Sequence, residues 1–177
     1  GGKNPALGHC VRQPMSRAFT KEDDSLEAPL IPPRAALPPG TPNYVTPRGL
    51  EMLRQELQEL EAARTQAETN RDNDADRTRR LTLLAGQLSQ LLARLASAKL
   101  VEPRTQPAQE VRFGATVTLR PTTFTIVGVD EASVAEGKVA FVAPIARAVQ
   151  GARLGQRLTL RLGPKDEEVE VASIQYH

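Results

Sequence analysis

Thr46-Pro47-Arg48-Gly49-Leu50-Glu51-Met52-Leu53-Arg54-Gln55-Glu56-Leu57-Gln58-Glu59-Leu60 carries the clearest periodicity in this chain. Leucines at 50, 53, 57 and 60 step by three and four residues, the spacing that lines one face of an α-helix. Thr is a good N-cap and Pro is favoured at the first helical position, so the helix begins at Thr46-Pro47. A second run is equally regular: Leu81, Leu84, Leu88, Leu91 and Leu95, with Ala98 continuing it. Facing layers of an antiparallel hairpin are symmetric about its fold point. Leu50 with Ala98, Leu53 with Leu95, Leu57 with Leu91, Leu60 with Leu88, Arg64 with Leu84 and Ala67 with Leu81 are all symmetric about residue 74. The spacing therefore predicts an antiparallel coiled-coil hairpin over 44–101, with Asp72, Asp74 and Asp76 at its tip. Glu51, Glu56, Glu59, Glu61 and Glu68 on one arm, against Arg77, Arg79, Arg80, Arg94 and Lys99 on the other, put opposite signs beside the seam. Each arm of roughly 24 residues would reach about 36 Å at helical rise.

Working outward, residues 1–43 carry Pro29, Pro32, Pro33, Pro38, Pro39, Gly40 and Pro42, breakers that sustain neither helix nor ladder, and read as a disordered tail. Met15-Ser16-Arg17-Ala18-Phe19 reads as a natural start, which makes Gly1 to Pro14 a cloning scar outside the fold. On the other side, residues 102–110, with Pro103 and Pro107, read as a linker. Beyond it the period becomes that of strands: Ala115 to Leu119, Phe124 to Val129, Lys138 to Val142, Leu158 to Leu162, and Glu168 to Ala172 onward. Pro144 to Gln150, with Gly151 just past its end, is a short helix. The expectation is an α+β chain: a helical hairpin, then a small antiparallel sheet over 111–177 with one helix packed on it.

Composition narrows the function. The 177 residues are 40% hydrophobic and 25% charged, a globular balance, but only 3% aromatic with no Trp, which argues against stacking platforms for bases or sugars. Lys+Arg 23 against Asp+Glu 21 leaves +2, too near balance for a protein that coats nucleic acid. Cys10 alone cannot form an internal disulfide, and with His9 and His177 the ligands for a zinc centre are too few. No apolar run is long enough to span a bilayer and no signal peptide is legible, so no membrane partner and a cytoplasmic location are expected.

Three carboxylates within five residues at a hairpin apex leave two readings open. Asp72, Asp74 and Asp76 can supply oxygen ligands to a hard cation such as Mg²⁺, or they are turn and N-cap residues before the second helix. They are not a calcium loop, because Arg77 stands where that loop needs Gly and Leu83 where it needs Glu. An exposed tip offers few further ligands, so the cation reading is one of completing a site on a partner. Arg77, Arg79 and Arg80 could meet a phosphate backbone or form a solvated face. Gly151-Ala152-Arg153-Leu154-Gly155 lacks the Lys and the third Gly of phosphate-binding loops. No nucleophile with a paired base can be assembled from two terminal histidines, so the chain is not expected to be an enzyme or to carry a cofactor of its own.

The opening Thr46-Pro47-Arg48-Gly49-Leu50, then Phe113-Gly114-Ala115-Thr116-Val117-Thr118, Ile126-Val127-Gly128-Val129-Asp130-Glu131-Ala132, Gly137-Lys138-Val139, Pro144-Ile145-Ala146-Arg147-Ala148, Gly151, Gly155 and Ile174-Gln175-Tyr176 follow one another in a familiar order. Over residues 43–177 the chain resembles the bacterial transcript-cleavage factors GreA and GreB. Met15 to Phe19 is similar to GreB-type openings. The resemblance implies an FKBP-like C-terminal domain docking at the rim of the secondary channel of bacterial RNA polymerase, with Pro144, Ile145, Ala146 and Arg147 in the docking surface. It implies a coiled coil inserted toward the active centre, near the nascent RNA 3′ end. Asp72, Asp74 and Asp76 would then act on the polymerase's Mg²⁺ in the complex, promoting cleavage of backtracked RNA by a monomeric factor.

This chain departs from the family's pattern at the tip. Asn73-Asp74-Ala75-Asp76-Arg77 keeps part of the family's acidic motif but lacks its Tyr and a Glu in register. The hairpin is shorter by about ten residues, or about 7 Å of reach. The alternative is therefore a secondary-channel regulator that inhibits or modulates polymerase without cleavage. A peptidyl-prolyl isomerase would need an aromatic pocket, for which Phe113, Phe124, Phe141 and Tyr176 are wanted in the core. Coiled-coil scaffolding would predict oligomers, against the internal pairing of the two leucine runs.

Overall fold

The computed structural model describes residues 30–120, 122–161 and 164–177. The expectations for Gly1 to Pro14, for the Met15 start and for His9 and Cys10 lie outside the described residues. In chain order the elements are β1 (Asn43–Val45), α1 (Pro47–Thr69), α2 (Asp74–Ser97), β2 (Ala98–Leu100), a single 3₁₀ turn (Pro103–Thr105), β3 (Ala115–Leu119), β4 (Thr122–Val127), β5 (Lys138–Ala140), α3 (Pro144–Val149), β6 (Arg157–Arg161) and β7 (Asp166–Tyr176). The chain is thus mixed α+β, with helices and a curled sheet.

α1 starts where capping chemistry puts it. The Thr46 side chain accepts a hydrogen bond from the Gly49 amide, and Pro47 takes the first turn, where its missing N–H costs nothing. α1 and α2 lie side by side, with Leu53 and Leu91 buried at the centre of a cluster that Leu50, Leu57, Leu60, Leu95 and Ala98 complete. Leu84, Leu88 and Ala67 carry the buried seam toward the tip. Arg64, a seam position by spacing, is exposed; its long side chain leaves the interface and small Ala67 fills the layer. The turn spans residues 70–73, so Asp72 lies in it while Asp74 and Asp76 open α2, a little beyond the expected apex.

Three further expectations need correction. The sheet is mixed, not antiparallel: its order is β5-β4-β3-β7-β6, and β5 pairs parallel with β4, Ile126 opposite Val139. Tight turns at Gly128–Glu131 and Ser133–Glu136, with Gly137 at φ 69°, fold the connection back so that β5 restarts in the direction of β4. Second, β1 and β2 form a parallel pair at the root of the hairpin, Tyr44 opposite Lys99; three-residue strands are too short for periodicity to reveal. Third, residues 30–43 are not a free tail. Leu37 packs on the sheet core, Asn43 is buried, and Ile31 lies over Gly86. Their prolines forbid helix, but an extended segment can still dock by its side chains.

The core sits on one face of the sheet, built from Val111, Phe113, Val117, Leu119, Phe124, Ile126, Phe141, Val149, Leu160 and Val171. Tyr44 from the hairpin root enters it, its ring centroid 5.9 Å from Phe113 and 5.5 Å from Phe141, spacings at which tilted and edge-on rings attract. Gly128 lets the two parts approach: a Cβ there would stand 2.5 Å from the Tyr44 carbonyl oxygen. Gly128→Ala should therefore destabilise the protein by about 1–3 kcal/mol through overpacking against backbone, read as a lower urea midpoint.

Tyr176 closes the sheet onto the linker, donating its hydroxyl hydrogen to the Glu110 carbonyl (2.6 Å) and accepting from the Arg112 amide (3.0 Å). Burial holds its hydroxyl above the ordinary tyrosine pKa, partly offset by the Arg112 amide. A raised pKa means that the neutral phenol contributes stability below its unfolded value of about 10 and loses it as pH rises through the folded value. Tyr176→Phe should cost about 1 kcal/mol at neutral pH. It should also weaken the alkaline fall in stability, measured by urea unfolding across that range.

Candidate functional site

The three predicted carboxylates lie at the far end of the hairpin from the sheet. Asn70 caps the end of α1, and its Oδ1 accepts from the Asp72 amide (3.1 Å). Asn73 caps α2 by accepting from the Asp76 amide (3.1 Å). Asp74 and Asp76 then occupy the first helical turn, where the positive end of the helix dipole favours negative charge. This turn chemistry explains why Asp and Asn crowd this point in the sequence. All three Asp side chains are exposed, and Asp74 is also held by Arg77 at 2.9 Å. Arg77 donates to the Asn70 carbonyl (3.4 Å) as well, crossing the turn.

The carboxylates share a tip without forming a closed ligand set. Among the described residues, no group of three or more His, Cys, Asp or Glu side chains is arranged to hold a metal ion. The exposed carboxylates could give a divalent cation only a partial shell, and among the described residues Asp74 is the one of the three that makes an ion pair.

The predicted docking residues separate. Pro144 and Arg147 are exposed at the start of α3, Ile145 is half-buried against the core, and Ala146 is fully buried within it. The period of α3 requires this, since its inward positions Ala146 and Val149 are three apart. Ala146 is therefore corrected from docking surface to core.

A second polar constellation, missed by sequence reading, joins hairpin to sheet. Asp130, its side chain only 7% exposed, is held by Arg34 (3.1 Å) and by Arg94 of α2 (3.3 Å). Arg34 also forks onto Glu56 of α1 with two bonds of 2.8 Å, the bidentate geometry that makes such pairs strong. That bond to Glu56 does most to hold the Arg34 guanidinium above its ordinary pKa, against the opposing effect of burial. The neighbouring Glu131 turns the other way. It accepts from Thr46 Oγ1, and Lys138 approaches it at 3.5 Å. A Cβ on Gly49 would lie 2.8 Å from its Oε1, so a side chain there would have to push the Glu131 carboxylate out of this position. Consecutive Asp130-Glu131 in a turn was the available signal; the partners Arg34 and Arg94 lie 96 and 36 residues away and could not be paired by spacing.

The structure thus carries an exposed acidic tip on a two-helix arm rooted in a small sheet. Comparisons with known proteins give its family. Residues 106–176 match the family described as Transcription elongation factor, GreA/GreB, C-term. Transcription elongation factor GreA of Ralstonia nicotianae is 32% identical over 152 residues, covering 75% of this chain and 96% of that protein. Transcription elongation factor GreB of Neisseria meningitidis is 32% identical over 155 residues, covering 77% and 95%. Among solved structures, the GreA/GreB elongation factor from Nitrosomonas europaea is 21% identical and covers 75% of this chain and 98% of that one, at a TM-score of 0.37. The chain belongs to the GreA/GreB family of transcription elongation factors.

The caps make a local prediction. Asn73→Ala removes the acceptor for the Asp76 amide and should cost about 1 kcal/mol, seen as a lower thermal midpoint by circular dichroism at the helix band.

Proposed function

We propose that this protein binds RNA polymerase through its secondary channel and uses the hairpin tip to stimulate cleavage of backtracked RNA. The observation that supports this best is the placement of Asp72, Asp74 and Asp76, exposed at the end of helices of 23 and 24 residues. At 1.5 Å per residue such an arm extends about 35 Å. In this reading the hairpin is a coiled coil, the sheet is an FKBP-like domain docking at the channel rim through Pro144 and Arg147, and the factor is a cytoplasmic monomer.

Phosphodiester hydrolysis needs a water aimed at phosphorus and negative oxygens beside a weakly held cation. A divalent cation belonging to the polymerase would supply the Lewis acidity. Asp72 and Asp76 would offer oxygens to its open positions or accept hydrogen bonds from the attacking water. Asp74 would act mainly through Arg77, which holds the turn in shape. The factor would bring no complete catalytic centre of its own, and so would not be an enzyme by itself.

The Asp74–Arg77 pair, which occupies one of the three carboxylates, favours a second reading, a channel occupant that modulates synthesis without cleavage. Adding the protein to backtracked complexes separates the two. Cleavage stimulation should appear with the natural sequence and fall at least about a hundredfold when Asp72, Asp74 and Asp76 are all replaced by Ala, the scale of a lost water-positioning group. Polymerase affinity should stay within about twofold, since exposed positions away from the binding face add little. Unchanged cleavage in the triple variant would refute the tip assignment, and binding without any shortened RNA would establish the second reading.

A further inference from the structure

Residues 30–37 take no regular structure, yet they cross the hairpin at a defined place. Ile31 seats over Gly86, in the middle of α2: a Cβ built on that glycine would lie 1.9 Å from Ile31 Cδ1. Glycine inside a helix lowers its stability, and the notch it makes for Ile31 gives this one a reason. Three residues on, Arg34 grips Glu56 of α1 and Asp130 of the sheet's connecting loop at once. Arg94 of α2 donates to the Ala35 carbonyl, and Leu37 reaches the sheet core. The segment is a strap touching both helices and the sheet.

Geometry says what such a strap does. Apart from the strap, the hairpin is fixed near its root, through Tyr44, β1 and the Thr46–Glu131 bond at the start of α1 and the Arg94–Asp130 pair in the last turn of α2. Anchors gathered at one end leave a rod free to pivot. Glu56 lies ten residues beyond Thr46, about 15 Å at helical rise, and a further anchor there fixes direction. Charge-assisted bonds make the catch at Arg34, and a solvent-open cleft of about 380 Å³ lined by Arg34, Glu56, Leu60, Gln87, Gln90 and Asp130 adjoins it, so water and salt reach these bonds.

We propose that residues 31–37 are a detachable latch that sets the direction of the helical hairpin relative to the sheet, with Arg34 as its ionic catch and Gly86 as its notch. This inference does not depend on the polymerase reading. Its test uses the full chain with Cys10→Ser, spin labels at Thr69→Cys and Glu170→Cys, and the distance distribution between them. The parent should give one narrow distribution. Arg34→Ala and Gly86→Ala should each broaden or shift it and speed proteinase K cleavage within residues 31–37 about tenfold, the factor expected for one lost charge-assisted bond or a blocked seat. Arg34→Lys, which keeps the charge but not the fork, should fall between. Salt at 1 M, where the Debye length is about 3 Å, should broaden the parent as well. Gly86→Ala improves intrinsic helix propensity, so an undiminished helix band shows that its effect is not unfolding. A distribution as narrow as the parent's in variants whose strap is cut faster overturns the latch. Unchanged cleavage in both variants overturns it too, since Arg34 and Gly86 would then not hold the strap.

Discussion

Two consecutive carboxylates, Asp130 and Glu131, decide where the hairpin stands. They sit in the tight connection leaving β4, both nearly removed from solvent, and they face opposite ways. Glu131 takes the start of α1 through Thr46, while Asp130 takes the flank of the hairpin through Arg34 and Arg94. Buried charges of this sort are costly unless every one is paired, and removing one partner leaves another stranded. The joint is therefore specific more than it is strong. In this arrangement of hairpin, strap and sheet Asp130, Glu131, Arg34 and Arg94 are all paired.

Much of this architecture could be read from residue spacing. The leucine period gave both helices, but the register differs: the buried cluster centres on Leu53 with Leu91, where the symmetric pairing set Leu53 against Leu95, because the turn at residues 70–73 comes before the expected fold point at 74. The Thr46-Pro47 start and the Pro144 to Val149 helix fall where capping rules put them. What spacing could not reach were contacts between distant, aperiodic residues. The parallel β4–β5 pair depends on how ten connecting residues fold, and β1 and β2 are too short to carry a pattern. Prolines keep residues 30–42 out of helix and strand, yet a segment without a ladder can still dock by its side chains. Ile31, Arg34 and Leu37 show the difference.

The tip illustrates how one set of residues serves two physical ends. Asn70 and Asn73 satisfy amides that would otherwise be orphaned at the hairpin turn, and acidic residues at the start of α2 suit its dipole. The same choice leaves negative side chains in solvent at the point farthest along the arm. Stability of the turn and availability of the carboxylates are compatible because capping uses the asparagine side chains and the aspartate backbone amides. Expected charge pairing along the arms turned out differently: Glu56 and Arg94 reach the strap and the sheet.

Hydrogen exchange followed by mass spectrometry tests the joint most directly. If Asp130 and Glu131 make hairpin and sheet one cooperative unit, the slowest amides of α1 and α2 and those of β3 and β7 should open with the same free energy in the natural sequence. In Glu131→Gln and Asp130→Asn the hairpin amides should become less protected while those of β3 and β7 hold. Equal protection of hairpin and sheet, unchanged by either substitution, would contradict the account.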